Sequence, residues 1–331
     1  MATFIIAEIG MNHDGSFGNA KSLITAAKDA GVDAVKFQYH IFDEESLENA
    51  PKPKYFDSES RKDFFERTSF TIDQWAELKV YSESIGLEFL ISPFSIDAAR
   101  QIRSLGVNKF KIPSGEISNF PLIEYVSNFN AEVILSSGMS TWDELDKAVS
   151  IVQNSNSKLS ILQCTSEYPC PYENVGLNLF KEIQEKYSVT TGLSDHTLTI
   201  FAPIVIVANG GKIIEKHFTL SRQLYGPDAK FSLEPNEMKQ MVDGIRATEI
   251  MLDNLIDKDK VATELSYMKL TFEKSIVLSH DMEMGGIITM NDIAFKKPGD
   301  GINAKDYKEV LYKKLNCSLK KNEKLLKSHL I

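Results

Sequence analysis

Short apolar, β-branched runs alternate with stretches of helical period along most of the chain. Residues 4–10, 34–40, 88–94, 110–114, 133–137 and 159–165 are runs bounded by turn residues, the pattern of buried strands. Between them Ala20, Leu23, Ile24 and Ala27 keep the spacing of one helix face, as do Leu145, Ala148, Val149 and Val152, and later Met238, Met241, Val242 and Ile245. Thr71-Ile-Asp-Gln74 and Thr141-Trp-Asp-Glu144 are capping-box patterns that open helices. Two further strands, 190–196 and 212–220, flank an apolar segment with Pro203 near its start and Gly210-Gly211 at its end, which predicts a short crossover helix. The series makes eight strand–helix units, the requirement of a TIM (β/α)8 barrel in the α/β class. An open doubly wound sheet competes, but the first turn, Gly10-Met-Asn-His-Asp-Gly15, lacks the dinucleotide fingerprint.

Two places break the rhythm. The connection 41–70 is rich in acids and aromatics and is long enough to suggest a functional loop such as a lid. From residue 257 the texture changes. Asp-Lys-Asp-Lys and the mixed residues after it read as a linker, 257–272, between a barrel domain, 1–256, and a small unit, 273–331. The small unit carries short strands at 275–278, 287–289 and 294–296 and turns at Gly285-Gly286 and Pro298-Gly-Asp-Gly301. Its terminal lysines read as a solvated face.

Composition narrows the partners. The 331 residues are 43% hydrophobic and carry a net charge of −9, which argues against nucleic acid or an anionic membrane as the main partner. Three cysteines, Cys164, Cys170 and Cys317, lack metal-ligand spacing, so neither a disulfide framework nor a zinc knuckle is expected. The amino terminus has no basic n-region and no apolar run approaches a membrane span, so a cytoplasmic protein is expected.

In a barrel the carboxyl ends of the strands meet in one bowl. Those ends supply Glu8, Lys36, Gln38, Ser92, Lys111, Ser114, Glu116, Ser136, Ser137, Gln163, Ser166, Ser194, Asp195, His196, Glu215 and His217. Right-handed crossover puts His196 and His217 at the same end of neighbouring parallel strands, roughly 4.8 Å apart, close enough to share one ion. Ser194-Asp195-His196 is not a hydrolase triad, because consecutive strand residues face opposite ways. Lys36 and Lys111 stand alone in apolar runs. Each could be paired with a carboxylate such as Glu8 or Glu116, but with several serines beside them an anionic, phosphorylated ligand is the better explanation. Lys111 as a Schiff-base nucleophile and Cys164 as a third, soft metal ligand are alternatives.

The stretches Ala7-Glu-Ile-Gly-Met-Asn-His13, Val35-Lys-Phe-Gln38, Lys111-Ile-Pro-Ser-Gly-Glu116, Leu135-Ser-Ser-Gly-Met139, Gln163-Cys-Thr-Ser-Glu-Tyr-Pro169, Gly192-Leu-Ser-Asp-His-Thr197, Glu215-Lys-His-Phe-Thr219 and Gly226-Pro-Asp228 occur in the order found in sialic acid synthases, and the chain resembles that family along nearly its whole length. The tail, through Lys296-Lys-Pro-Gly-Asp-Gly-Ile302, looks like the family's antifreeze-like (SAF) domain. The resemblance implies condensation of phosphoenolpyruvate with an open-chain N-acetylmannosamine-type sugar, a divalent cation (Mn²⁺ or Mg²⁺) and a domain-swapped homodimer. By motif position it implies His196 and His217 for the metal. It assigns Lys36, Lys111, Ser114, Ser136, Ser166 and Ser194 to phosphoenolpyruvate, and Gln38, Tyr168 and Asp228 to the sugar. Glu8 and Glu116 fall to proton transfer and orientation. Lys297 stands where the family has an arginine that reaches the partner's sugar site, and a lysine lacks that planar two-point contact.

Overall fold

The computed structural model describes residues 2–51 and 59–331. Eight parallel strands, β1 (Phe4–Gly10), β2 (Ala34–Tyr39), β3 (Glu88–Pro93), β4 (Lys109–Ile112), β5 (Glu132–Ser136), β6 (Lys158–Cys164), β7 (Thr190–Asp195) and β8 (Ile213–His217), close in sequence order into a TIM barrel. Closure is made by β1 against β8, with Ile5 opposite Ile214 and Glu8 opposite His217. Helices follow the strands, and both expected capping boxes are present, at Thr71 and Thr141. No helix among the described residues is long and apolar enough to cross a membrane.

The period of two along each strand divides the barrel's contents. Outward residues such as Ile5, Val35, Phe37, Phe110, Val133 and Ile214 pack in the core shared with the helices. Inward residues Ile6, Ala34, Leu90, Ile134, Leu162 and Ile213 form a separate apolar floor. Two residues further along these strands come Glu8, Lys36, Ser92, Ser136, Cys164 and Glu215, so an apolar plug supports a layer of charge and hydroxyls.

Gly192 of β7 has no substitute. A Cβ there would lie 1.9 Å from the Ile213 carbonyl oxygen and 2.9 Å from a Leu162 methyl. Gly192→Ala is therefore expected to destabilise the protein by about 1–3 kcal/mol, read as a lower urea midpoint with an unchanged m-value. Stability equal to the parent's would mean that β7 and β8 stand further apart.

Several sequence expectations are corrected. The run 212–220 is a strand only over Ile213–His217, and Phe218 then makes a single bridge to Leu233. The connection 41–70 contains two short helices, Phe42–Glu45 and Arg61–Thr68, while its residues 52–58 lie outside the described ones. The stretch 257–272, read as a linker, forms two helices, Lys258–Glu264 and Ser266–Phe272. Asp257 caps the first by accepting from the Asp259 and Lys260 amides, so the charged run is a helix start.

The chain divides into two compact units, Met1–Asp253 and Asn254–Ile331. In the second, β9 (Ser275–Leu278) pairs antiparallel with β10 (Ile293–Lys296) over a core that includes Ile276, Leu278, Ile288, Leu315 and Leu325. Residues 287–289, expected as a strand, make one bridge, Ile287 to Lys314. Lys297 belongs to this unit, where its ammonium lies 4.9 Å from the centre of the Phe272 ring.

Candidate active site

At the carboxyl end of the barrel a cleft of about 590 Å³ is lined by Glu8, Lys36, Gln38, Lys111, Ser114, Glu116, Ser136, Ser166, Tyr168, Ser194, His196, His217 and Asp228. The residues of the barrel unit that the resemblance assigned to phosphoenolpyruvate, sugar, metal and proton transfer all line it. Gln163 and Ser137 turn aside and hydrogen-bond to each other at 3.0 Å.

The two lysines are paired. Lys36 Nζ lies 2.7 Å from Glu8 Oε2 and 3.7 Å from Glu215 Oε2, and it donates to Ser92. Lys111 Nζ lies 3.1 Å from Glu215 Oε1, which also accepts from Ser194 Oγ at 3.0 Å. The carboxylate alternative thus holds for both lysines, with Glu215 as the partner of Lys111 in place of Glu116. The two carboxyls respond differently. Burial pushes Glu8 above the ordinary carboxylate range, against the pull of Lys36. Glu215, equally buried, is held down at about 2 by Lys111 and Lys36. The layer therefore contains two ammonium groups, one firmly ionised carboxylate and one carboxyl biased toward its neutral form.

Hydroxyls border this layer. Ser136 Oγ is buried without a hydrogen-bond partner among the described residues. Gly138 brings the backbone between Ser114 and Ser166, for a Cβ would stand 2.5 Å and 2.6 Å from their Oγ atoms. On the opposite side Gly10, at φ +54°, is enclosed by Asp228, Gln38 and Glu8, with Asp228 Oδ2 2.9 Å from where a Cβ would be. Burial raises Asp228 to about 6. Glu116 sits on the turn Ser114–Glu116 after β4, accepts from Asn119 Nδ2 at 2.7 Å, and is also raised by burial.

The imidazoles of His196 and His217 have ring centres 5.5 Å apart, and Tyr168 lies 4.2 Å from the first. An ion bound to a nitrogen of each ring stands about 3.2 Å from each centre, which at tetrahedral angles separates the centres by about 5.2 Å. The spacing fits one shared ion. His196 Nδ1 donates to the Thr165 carbonyl at 2.8 Å, so in the neutral ring Nε2 is the nitrogen left to ligate. Against burial, Cys164 and the Thr165 carbonyl raise the ring's affinity for a second proton, which an ion would displace. His217 is kept neutral by burial, and its Nδ1 has no partner among the described residues. Cys164 Sγ approaches His196 from the Nδ1 side, at 3.9 Å, so it does not face an ion on Nε2. No cluster of three or more His, Cys, Asp or Glu donors suited to a metal occurs among the described residues, and an ion here keeps open positions. Asp195 faces away and pairs with Lys216, which excludes the triad by geometry.

Sequence reading assigned no role to Arg61, His40, Glu45, Phe64, Phe65 and Phe94, all of which line the same cleft. His40 carried a signal, since Lys36, Gln38 and His40 share one face of β2. The others come from the connection 41–70 and the loop after β3, where no period marks a face.

The closed barrel thus gathers lysines, serines and histidines in one bowl at its strand ends. The chain belongs to the NeuB family, whose model matches residues 23–257. N,N'-diacetyllegionaminic acid synthase of Campylobacter jejuni is 33% identical over 97% of this chain and 98% of its own length. Human N-acetylneuraminate-9-phosphate synthase is 33% identical over 88% of this chain and 82% of its own. Among solved structures, N-acetylneuraminic acid synthetase from Leptospira borgpetersenii, in complex with citrate, superposes with a TM-score of 0.70 at 31% identity, covering 81% of this chain and 91% of that one.

Proposed function

We propose that this enzyme condenses phosphoenolpyruvate with the open-chain aldehyde of N-acetylmannosamine and water to give N-acetylneuraminate and phosphate, in the cytoplasm, with Mn²⁺ or Mg²⁺ held by His196 and His217. The observation that carries it is the convergence of two lysines, unpartnered hydroxyl capacity and two imidazoles on one cleft. Lys36, Lys111, Ser114, Ser136, Ser166 and Ser194 hold phosphoenolpyruvate. Lys36 and Lys111 set two ammonium groups against the substrate trianion, offset by ionised Glu215, and a divalent cation would add two positive charges. When bound, that cation polarises the sugar aldehyde as a Lewis acid.

The residues do the rest. The lysines orient the enol so that its C3 faces the aldehyde carbon. Bond formation leaves C2 cationic. A water adds there, Glu116 takes one of its protons and passes it to the alkoxide formed from the aldehyde, and the tetrahedral species expels phosphate, which carries off the remaining hydroxyl proton, to leave the 2-keto acid. Burial suits Glu116 to this role, because a raised carboxyl exchanges protons nearer to neutral pH. Gln38, Tyr168 and Asp228 face the sugar, and Glu8 orients Lys36. We assign the second unit to an antifreeze-like domain that brings Lys297 to the partner's sugar in a domain-swapped homodimer.

A second reading has its own support. Phe64, Phe65 and Phe94 give the cleft an apolar wall, which suits the methyl group of a 2,4-diacetamido-6-deoxy hexose, the substrate of a legionaminate or pseudaminate synthase. Phosphate release with phosphoenolpyruvate, Mn²⁺ and a panel of both sugar types separates the readings. Release with N-acetylmannosamine supports the first, and release only with the deoxy sugars the second. No release with any sugar would point to a non-catalytic sugar-binding protein. Chelator should abolish release, and borohydride should trap no lysine adduct; the reverse would favour a Schiff-base aldolase.

A further inference from the structure

His40 lies one residue beyond β2, and its ring is held on every side. Both faces are stacked, by Phe65 and by Phe94, each with ring centres 4.0 Å away and with interplanar angles of 8° and 27°. Its Nδ1 is 2.7 Å from Glu45 Oε1 and its Nε2 is 3.2 Å from Gln38 Oε1. Gln38 in turn donates from Nε2 to Glu8 Oε1 at 2.7 Å, while Lys36 engages Glu8 Oε2.

The donor inventory gives this chain a direction. Glu8 Oε2 faces the Lys36 ammonium and Oε1 accepts from Gln38, an arrangement that holds with both oxygens unprotonated. Gln38 must then present its NH₂ to Glu8 and its carbonyl oxygen to His40. A primary amide turned end for end keeps its shape, but here it would set an oxygen against an oxygen of Glu8. What opposes that turn is a proton on His40 Nε2. The ring cannot swing away, because its faces are packed and its other nitrogen is tied to Glu45.

We propose that His40 is a positioning residue for the condensation: clamped by Phe65, Phe94 and Glu45, it fixes the direction of the Gln38 amide and, through it, the seating of Glu8 on Lys36. Glu45 and Phe65 belong to the two helices of the connection 41–70, so one function of that connection is to build this clamp. The kinetic side of the inference rests on the condensation proposed above.

His40→Phe keeps the aromatic stack and removes both ring nitrogens. It is expected to lower kcat about tenfold, the worth of one hydrogen bond of ordinary strength, with the KM for phosphoenolpyruvate changed less than threefold. In a Gln38→Leu background the same substitution should alter kcat less than twofold, because His40 acts only through Gln38. Additive losses, or a folded His40→Phe with the parent's kcat, would overturn the proposal. A second readout does not need turnover. In protein labelled with ¹⁵N-histidine, the His40 ring should show a proton on Nε2 whose resonance moves in Gln38→Leu. A bare Nε2 would overturn the inference even if no sugar is turned over or His40→Phe does not fold. An unreactive parent enzyme with a protonated Nε2 would instead count against the condensation alone.

Discussion

Alanine at position 217 is expected to remove turnover, by roughly three orders of magnitude, while the barrel stays folded. His217 faces His196 across the cleft, so its loss would leave a shared cation a single protein ligand of the proposed pair. The fold has less to lose, since the buried Nδ1 makes no hydrogen bond among the described residues. Stability should even respond to pH in a telling way. The folded pKa of His217 lies well below its unfolded value, so the unfolded chain takes up a proton that the folded one refuses. His217 therefore contributes a loss of stability as pH falls below about 6.5, and His217→Ala should lose less, or gain more, than the parent over the same window. Phosphate release and thermal melts at pH 7.5 and 5.5 check both halves; an active variant would make the imidazole structural only.

Lys111→Met is expected to harm both stability and binding. It strips Glu215, fully buried and firmly ionised, of its closest cation and leaves Ser194 and the more distant Lys36, at 3.7 Å. Breaking a buried ion pair from one side costs about 3–5 kcal/mol, because the remaining charge is uncompensated. Adding Glu215→Gln should restore much of that stability by removing the stranded charge. It should not restore binding. The double variant still lacks an ammonium for the phosphorylated substrate, and its KM for phosphoenolpyruvate should rise roughly 100-fold. Urea unfolding of the single and double variants beside their kinetics separates the effects. A double variant with the parent's KM would mean that Lys111 serves the fold and not the ligand.

The barrel was legible because the strands repeat one physical statement: outward residues are mainly apolar, while inward ones pass from Ile6, Ala34 and Leu90 to Glu8, Lys36 and Ser92. A polar residue on the inward face near a strand's end therefore announces the site. What the sequence could not announce is pairing across the barrel. Lys111 and Glu215 are 104 positions apart, and nothing local says that they meet. The lysines looked isolated only because their carboxylates lie on other strands. His40 lay within the expected strand 34–40, on the face of Lys36 and Gln38, but what it does depends on Glu45, Phe65 and Phe94, which lie outside any periodic run. Arg61 and Glu45 sit on short helices whose sequence resembles a polar loop. The helices at 258–272 were hidden in the same way, by a charged run that is equally good as a linker or as a capped helix start.

The central claim is that one cation bridges His196 and His217 beside the lysine layer. Anomalous diffraction from a crystal soaked in Mn²⁺ and phosphoenolpyruvate tests it most directly. The account predicts a single strong peak about 2.0–2.3 Å from one ring nitrogen of each histidine, with the substrate phosphate over Lys36 and Lys111. A peak elsewhere, or the two rings left without a shared ion while substrate occupies the cleft, would contradict it.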